Sequence, residues 1–244
     1  MTSALTVENE GNTCLGPGPA RTLPMAARAS RKKPKSYHHG DLRAALVEAA
    51  TSLVRERGVA AFSLREAARL VGVDPAASYR HFRDREEVLI AIAQVGFADL
   101  AALFREERAR LAAEQATTPE LFLALAQIYL SFALGRPAEF RLMFGGSGVP
   151  STDPRHRLAS VERGPYQQLL DISADYLGCD FTAPAATQFA NTLWAGAHGV
   201  TRLLIDGALP LPENEARALL SRVMTAVVRA EGTDESRPRA TRKG

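Results

Sequence analysis

Apolar residues recur three and four positions apart along most of the 244-residue chain, and stretches that alternate with period two are almost absent. The first clear stripe, Leu42, Ala45, Leu46, Ala49 and Leu53, predicts a helix that starts at Gly40-Asp41 and ends at Gly58. A second, shorter stripe, Leu64, Ala67, Ala68 and Val71, stops at Gly72. A long one follows Asp84 and carries Val88, Leu89, Ile92, Val95, Leu100 and Leu103, reaching about Ala113. Further helices are expected from Pro119 to Leu134, Pro137 to Phe144, Arg155 to Leu177 with a disturbance at Gly164-Pro165, Pro184 to Asp206, and Pro212 to Ala230. Gly145 to Pro154 reads as a loop. With the short segment after Asp74, nine helices and an all-α fold are expected.

Phe62 to Glu87 is the most structured piece of this grammar. Ser63 and Glu66 have capping-box spacing, which would satisfy free N–H groups at a helix start. Gly72 stands where the chain must reverse, because glycine enters the left-handed region without steric cost. Asp74 can cap the next helix, and Pro75 suits its first turn, where no N–H is required. Cap, helix, glycine turn, cap and short helix together spell a helix-turn-helix over Ser63–Phe82, followed by a helix that Asp84 caps. Phe62 and Phe82 are expected in the core that holds this unit together. That grammar makes double-stranded DNA the leading partner.

Charge sharpens this picture. The whole chain is only +3, but Arg28 to Arg85 holds 13 Lys/Arg against 6 Asp/Glu, whereas Glu86 to Ser236 holds 12 against 19. A basic front meets a polyanion and an acidic remainder does not. The run Arg28 to Lys35, RASRKKPK, reads as a basic arm for phosphate or minor-groove contact, ahead of which residues 1 to about 27 lack periodicity. The polar residues from Gly232 onward read as a frayed tail. Cys14 and Cys179 stand in unrelated settings, so neither a disulfide framework nor zinc is expected, and a reducing cytoplasm fits. Glu8 and Glu10 fall where a signal peptide would be apolar, and Leu121 to Leu134 is interrupted by Gln127 and short for a membrane span. No membrane association is expected.

At this point the chain resembles a known family. YHHGDLRAALVEAATSLVRERG, SLREAARLVGVDPAASYRHFRDREEVL and the nine-helix layout look like a TetR-family transcriptional regulator, densely over about Tyr37 to Gly96. Trp194-Ala-Gly-Ala-His198-Gly199 resembles the signature of the subgroup with a WHG-type C-terminal domain, and the YHHGDLR opening goes with it. The resemblance implies a homodimer that places its third helix in the major groove and receives a small-molecule effector in a C-terminal cavity. It implies a tail and arm over 1–36, a DNA-binding domain over 37–96 and a ligand-binding and dimerisation domain over 97–231. A second tail follows over 232–244.

Carried over by residue, it implies that Asp74 to His81 is the recognition helix. Ala76, Ala77 and Ser78 would let its backbone approach closely, with base contacts from Ala77 or Ser78. Tyr79 would hold a phosphate through its hydroxyl. His81 would face the backbone or cap locally, and Arg85 would supply a phosphate contact as a planar fork. Ser63 and Arg65 would add flanking contacts. Without Asn or Gln on this helix, specificity would lean on Arg80, thymine methyl groups and DNA shape.

Tyr129, Met143, Tyr166, Trp194 and His198, with Phe144 and Phe189, are candidates for the cavity or for plain core. Trp194 and His198 lie four apart and share a helix face, and Gly196 and Gly199 suggest close approach of another helix, within the subunit or across a dimer. The last two helices would form the dimer through Leu193, Val200, Leu203 and Leu204, with Leu219, Leu220, Val223 and Val227. No metal site is expected, because His38-His39 has no third ligand at a suitable spacing. GGSG at Gly145 to Gly148 lacks the spacing of a nucleophile elbow or phosphate loop. No cofactor is expected and no catalytic constellation emerges. The reading is therefore a ligand-responsive DNA-binding regulator, most simply a repressor released from a pseudo-palindromic operator. An activator, an enzyme with an incidental helix-turn-helix, and an architectural binder indifferent to sequence are the competing classes.

Overall fold

The computed structural model describes residues 41–145 and 163–232, all within one compact unit. Nine α-helices and no strand occur among the described residues. They are α1 (Leu42–Arg57), α2 (Leu64–Val71), α3 (Pro75–Ser78), α4 (Arg85–Ala113), α5 (Thr118–Gly135), α6 (Pro137–Met143), α7 (Pro165–Leu177), α8 (Pro184–Ile205) and α9 (Glu213–Gly232), with one 3-10 turn at Val59–Ala61. The tail and arm over 1–36, the Tyr37–Gly40 opening with His38-His39, Cys14, the loop and helix expected between 146 and 162, and the tail from 233 lie outside the described residues.

Local chemistry explains the starts. Asp41 accepts from the Ala44 N–H at 2.9 Å, Asp74 from the Ala76 N–H at 2.7 Å and Asp84 from the Glu87 N–H at 2.8 Å. Proline occupies the first turn of α3, α5, α6, α7 and α8, where its missing N–H costs nothing. One expectation needs correction. Ser63 makes no side-chain cap bond: the Glu66 N–H bonds the Ser63 carbonyl at 3.1 Å, and the Glu66 carboxylate, which would complete the box, pairs with Arg57 at 2.6 Å. The disturbance expected at Gly164-Pro165 is the start of α7, which begins at Pro165 with Gly164 as its N-cap; the stretch expected from Arg155 to 162 lies outside the described residues.

α1 packs on α2 and on α4, α2 packs on α3, and Leu46, Ala50, Phe62, Phe82 and Leu89 belong to the core that joins this head. Phe62 and Phe82 are buried, as expected. α4 then runs on among α5, α6 and α7, so the division expected at 96/97 falls inside one continuous helix. α8 and α9 pack on each other and on α7 and α5. One hydrophobic core extends from α1 to α9, which makes α4 the mechanical link along the molecule.

α4 and α5 are each long and apolar enough to cross a membrane. So long an apolar stretch in α4 was not expected from the sequence, where Leu121 to Leu134 stands out as the longest. Their apolar stripes, Leu89, Ile92, Phe97 and Leu100 on α4 and Phe122, Leu125, Tyr129 and Leu130 on α5, are buried in the core.

Candidate DNA-binding surface and ligand cavity

The turn of the helix-turn-helix is built by Gly72, at φ 81° and ψ 25°. Its N–H bonds the Arg69 carbonyl, and the Val73 N–H bonds the Ala68 carbonyl, which ends α2 as a left-handed cap. The short α3 is then anchored from below. Ser78 is fully buried, and its hydroxyl donates to the Pro75 carbonyl at 2.6 Å. It packs under the helix instead of facing outward, so the base contact expected from it is withdrawn.

Arg65, Ala76, Arg80 and His81 are exposed, Ala77 is half-buried, and Tyr79 is 48% exposed despite being aromatic. Arg65 stands on α2 and Ala76 and Ala77 on α3, whereas Tyr79, Arg80 and His81 fall in the turn after it, because the helix expected to reach His81 ends at Ser78. Arg85 is exposed, but its guanidinium already donates to the Val59 and Phe62 carbonyls and lies over the Phe62 ring at 5.8 Å. It therefore ties the start of α4 to the turn before α2. Arg43 lies over the Phe82 ring at 4.9 Å in the same way.

A second feature lies between α4 and α9. Phe122, Leu125 and Tyr129 of α5, Phe144 just past α6, Tyr166 of α7 and Trp194 of α8 wall a cavity to which α4 and α9 each add one side chain. Its free volume is about 530 Å³ when the crevices and the mouth are counted, of which about 50 Å³ can be reached by the centre of a water-sized sphere. No lining side chain carries a formal charge at neutral pH. Trp194 meets Tyr166 edge-on at 5.6 Å and Phe144 at 6.1 Å.

Of the residues expected here, Tyr129, Tyr166, Trp194 and Phe144 line the cavity, whereas Met143, His198 and Phe189 do not. Met143 is buried where α6 crosses α4, so close to Gly96 that a Cβ there would stand 2.7 Å from its sulfur. Phe189 is buried behind Phe122. His198 stands one step behind the wall, and its Nδ1 shares a 2.7 Å hydrogen bond with the Tyr129 hydroxyl. It stacks on Phe140 at 5.7 Å and meets Phe144 at 4.7 Å. Burial, reinforced by the charge of Arg202, pushes the His198 pKa down to about 4. Burial likewise raises the Tyr129 phenol, with Trp194 opposing it. Both groups are therefore neutral at pH 7. The lining residues Phe122 and Leu125 were missed from the sequence, although Phe122, Leu125, Ala126 and Tyr129 have the spacing of one helix face.

α6 is held on three sides by ion pairs. Glu139 bonds Arg55 of α1, Arg136 bonds Asp99 of α4 at 2.5 Å, and Arg141 bonds Asp206, just past α8, at 3.1 Å. The last two helices depart from expectation in part. Leu193, Val200 and Leu220 are buried in the core of the protomer, so they cannot form an intersubunit face. Leu203 is 48% exposed, and Leu204, Leu219, Val223 and Val227 are half-buried. A Cβ on Gly196 would stand 2.9 Å from Met224, so that glycine serves the contact between α8 and α9, whereas Gly199 faces open space.

An all-α chain whose head is a helix-turn-helix with exposed arginines and whose body holds an apolar cavity is built as a transcriptional regulator. Residues 46–92 match the family described as "Bacterial regulatory proteins, tetR family", and residues 122–227, which include Trp194 and His198, match "Tetracyclin repressor-like, C-terminal domain". The chain belongs to the TetR family. Among solved structures it is similar to a protein of unknown function from Rhodococcus sp. RHA1, at 30% identity and a TM-score of 0.62 over 80% of this chain and 98% of that one. A TetR/AcrR-family transcriptional regulator from Thermobifida fusca shares the fold at 23% identity, with a TM-score of 0.56 over 75% and 96% of the two chains. So does FadR from Bacillus subtilis, solved with stearoyl-CoA, at 14% identity and a TM-score of 0.58 over 76% and 97%.

Proposed function

We propose that this TetR-family regulator is a cytoplasmic homodimeric repressor that leaves a pseudo-palindromic operator when a small molecule enters the cavity walled by Tyr129, Phe144, Tyr166 and Trp194. The observation that carries the reading is a single continuous core joining a helix-turn-helix with exposed Arg65, Arg69 and Arg80 to a cavity with apolar walls. Arg65, Tyr79, Arg80 and His81 form the DNA face, with Ala76 and Ala77 permitting close approach to thymine methyl groups. Arg85 and Ser63 act on DNA by shaping that face: Arg85 fixes α4 to the preceding turn, and Ser63 begins α2. The open face of α8 and α9 at Gly199 and Leu203 pairs with its copy across a two-fold axis, spacing two recognition helices about one DNA turn apart.

A guest that enlarges the cavity displaces Phe144, and with it α6, whose ion pairs reach α1 and α4. The two dimer shapes then differ in their affinity for ligand and for DNA, which is all that coupling requires. Selection of binding sites from random duplexes, with light scattering of the purified chain, tests this reading. A palindromic consensus bound by a dimer is expected. A monomer at micromolar concentration, or affinity indifferent to sequence, would overturn it.

A further inference from the structure

The cavity also constrains what can enter it. This argument rests on the reading of the cavity as the effector site. Its wall is carbon with few exceptions, and the two hydroxyls in it differ in what they can still do. The Tyr166 hydroxyl donates to the Asn191 side chain at 2.7 Å, so its proton is already engaged. The Tyr129 hydroxyl meets the ring nitrogen of His198 at 2.7 Å, and the Trp194 indole N–H donates toward its oxygen, so one further position on the hydroxyl is open in either tautomer of His198.

A neutral imidazole carries one N–H and one bare nitrogen. If Nδ1 is bare, the Tyr129 O–H donates to it, and the phenol oxygen remains able to accept from a guest. If Nδ1 carries the proton, it donates to the phenol oxygen, and the Tyr129 O–H is free to donate to a guest. Either tautomer leaves one hydrogen-bonding position on Tyr129, and the pair can present it in either sense.

Ions are disfavoured by the same surroundings. No carboxylate, guanidinium or ammonium lines the cavity. The cation whose field reaches both Tyr129 and His198 is Arg202, and it is paired with Asp206 at 2.8 Å. An ion taken into such a space loses its water and meets no counter-charge in the wall; an anion would feel Arg202 only as far as Asp206 leaves its charge uncompensated. A cation would have aromatic faces around it, but it would also feel Arg202.

We infer that the effector is an uncharged, largely apolar molecule, bounded by the rings of Phe144, Tyr166 and Trp194, with one neutral polar group such as a hydroxyl or carbonyl seated on Tyr129. About 50 Å³ of room holds only a few waters, so the guest enters by parting the side chains of the wall.

The chain has 1 Trp, and it stands in the wall, so its emission reports occupancy directly. Full-length protein is titrated with 3-phenylpropan-1-ol, 3-phenylpropanoate, 3-phenylpropylammonium and propylbenzene, four probes of one shape. The alcohol is expected to bind about tenfold or more tightly than either ion, a difference the size of one charge-neutral hydrogen bond together with the avoided desolvation. In Tyr129→Phe the alcohol should weaken about tenfold while propylbenzene stays within about twofold. Tyr166→Phe should alter the alcohol little.

An ion that matches or exceeds the alcohol overturns the inferred chemistry and leaves the cavity standing as a ligand site. Silence from all four probes at millimolar concentration overturns the inference together with the cavity's role. The ranking on the unmutated chain is decisive even if a variant folds poorly. Release of DNA is read separately, by anisotropy of a labelled operator, so a guest that binds without releasing DNA counts against the regulatory reading and not against the ligand class.

Discussion

Glu139 of α6 and Arg55 of α1 meet in a two-pronged ion pair, with the Glu139 side chain 1% exposed and that of Arg55 46% exposed. The asymmetry of burial decides what each mutation does. Arg55→Ala leaves a buried carboxylate with only Arg136, at 3.9 Å, as a charged neighbour, and should cost about 2–4 kcal/mol. Glu139→Gln leaves a guanidinium that water can reach, and should cost about 1–2 kcal/mol. Urea unfolding of the two variants checks the order. Equal losses would mean that the pair behaves as a solvated surface bridge and does not tie α6 to the DNA-binding head.

Gly72 turns the chain between α2 and α3 at φ 81°, and a Cβ built there meets nothing within 4 Å. Any penalty on substitution is therefore conformational, with no clash to relieve. Gly72→Ala should cost about 1–2 kcal/mol, and Gly72→Asn distinctly less, because asparagine tolerates the left-handed region better. Denaturant midpoints measure both. Alanine as harmless as asparagine would show that the turn relaxes to another conformation, and DNA affinity should then fall without loss of stability.

The head was legible in the sequence because its determinants are local. Asp74, Pro75, Gly72 and Asp84 act within a turn of themselves, and each does what its chemistry dictates. The same local rule misled at Ser63, where Arg57 takes the Glu66 carboxylate. It passed over Thr117, whose N–H and hydroxyl both donate to Glu120, at 2.7 and 2.8 Å. The cavity was legible only as a set of aromatic residues. Tyr129 and His198 are 69 positions apart, and Arg55 and Glu139 are 84 apart, so no periodicity could pair them. Leu193 and Leu220 show the converse limit. A stripe announces that a face is buried, but not whether its own subunit or a partner buries it.

Tyr79 is 48% exposed, beside exposed Arg80 and His81, so its ring is not held there by burial. As a phosphate contact it carries no sequence information. Tyr79→Phe should weaken binding to operator and scrambled duplexes alike, by about 1 kcal/mol, and leave the ranking of base substitutions intact. Competition binding against a panel of single-base variants of the selected site measures this. A loss confined to one base pair would refute the phosphate role and make Tyr79 a base reader.

His198 couples the cavity wall to acid pH. In the folded chain, burial and then the charge of Arg202 hold its pKa near 4, against about 6.5 for a free imidazole. As pH falls through 6.5 the unfolded chain takes up a proton that the folded ring refuses until about 4. The unfolded state therefore binds more protons across that window, and stability drops as pH falls from about 6.5 to 4, then levels. Above pH 7 the ring contributes no slope. Because the ring is only half-buried, solvent screening reduces the total to about 1–2 kcal/mol. Glu107 and Glu120, lowered by their bonds to Arg110 and Thr117, lose their own contribution further down the acid range, and do so equally in a variant. Unfolding free energies of the wild type and His198→Asn between pH 7.5 and pH 4, at one fixed protein concentration, isolate the ring. The variant should be less stable at pH 7.5, since the Tyr129 bond is disturbed, and its curve should be flatter. Parallel curves would show that His198 takes up its proton at an ordinary pH in the folded state, and that the Tyr129–His198 pair carries charge at neutral to mildly acid pH.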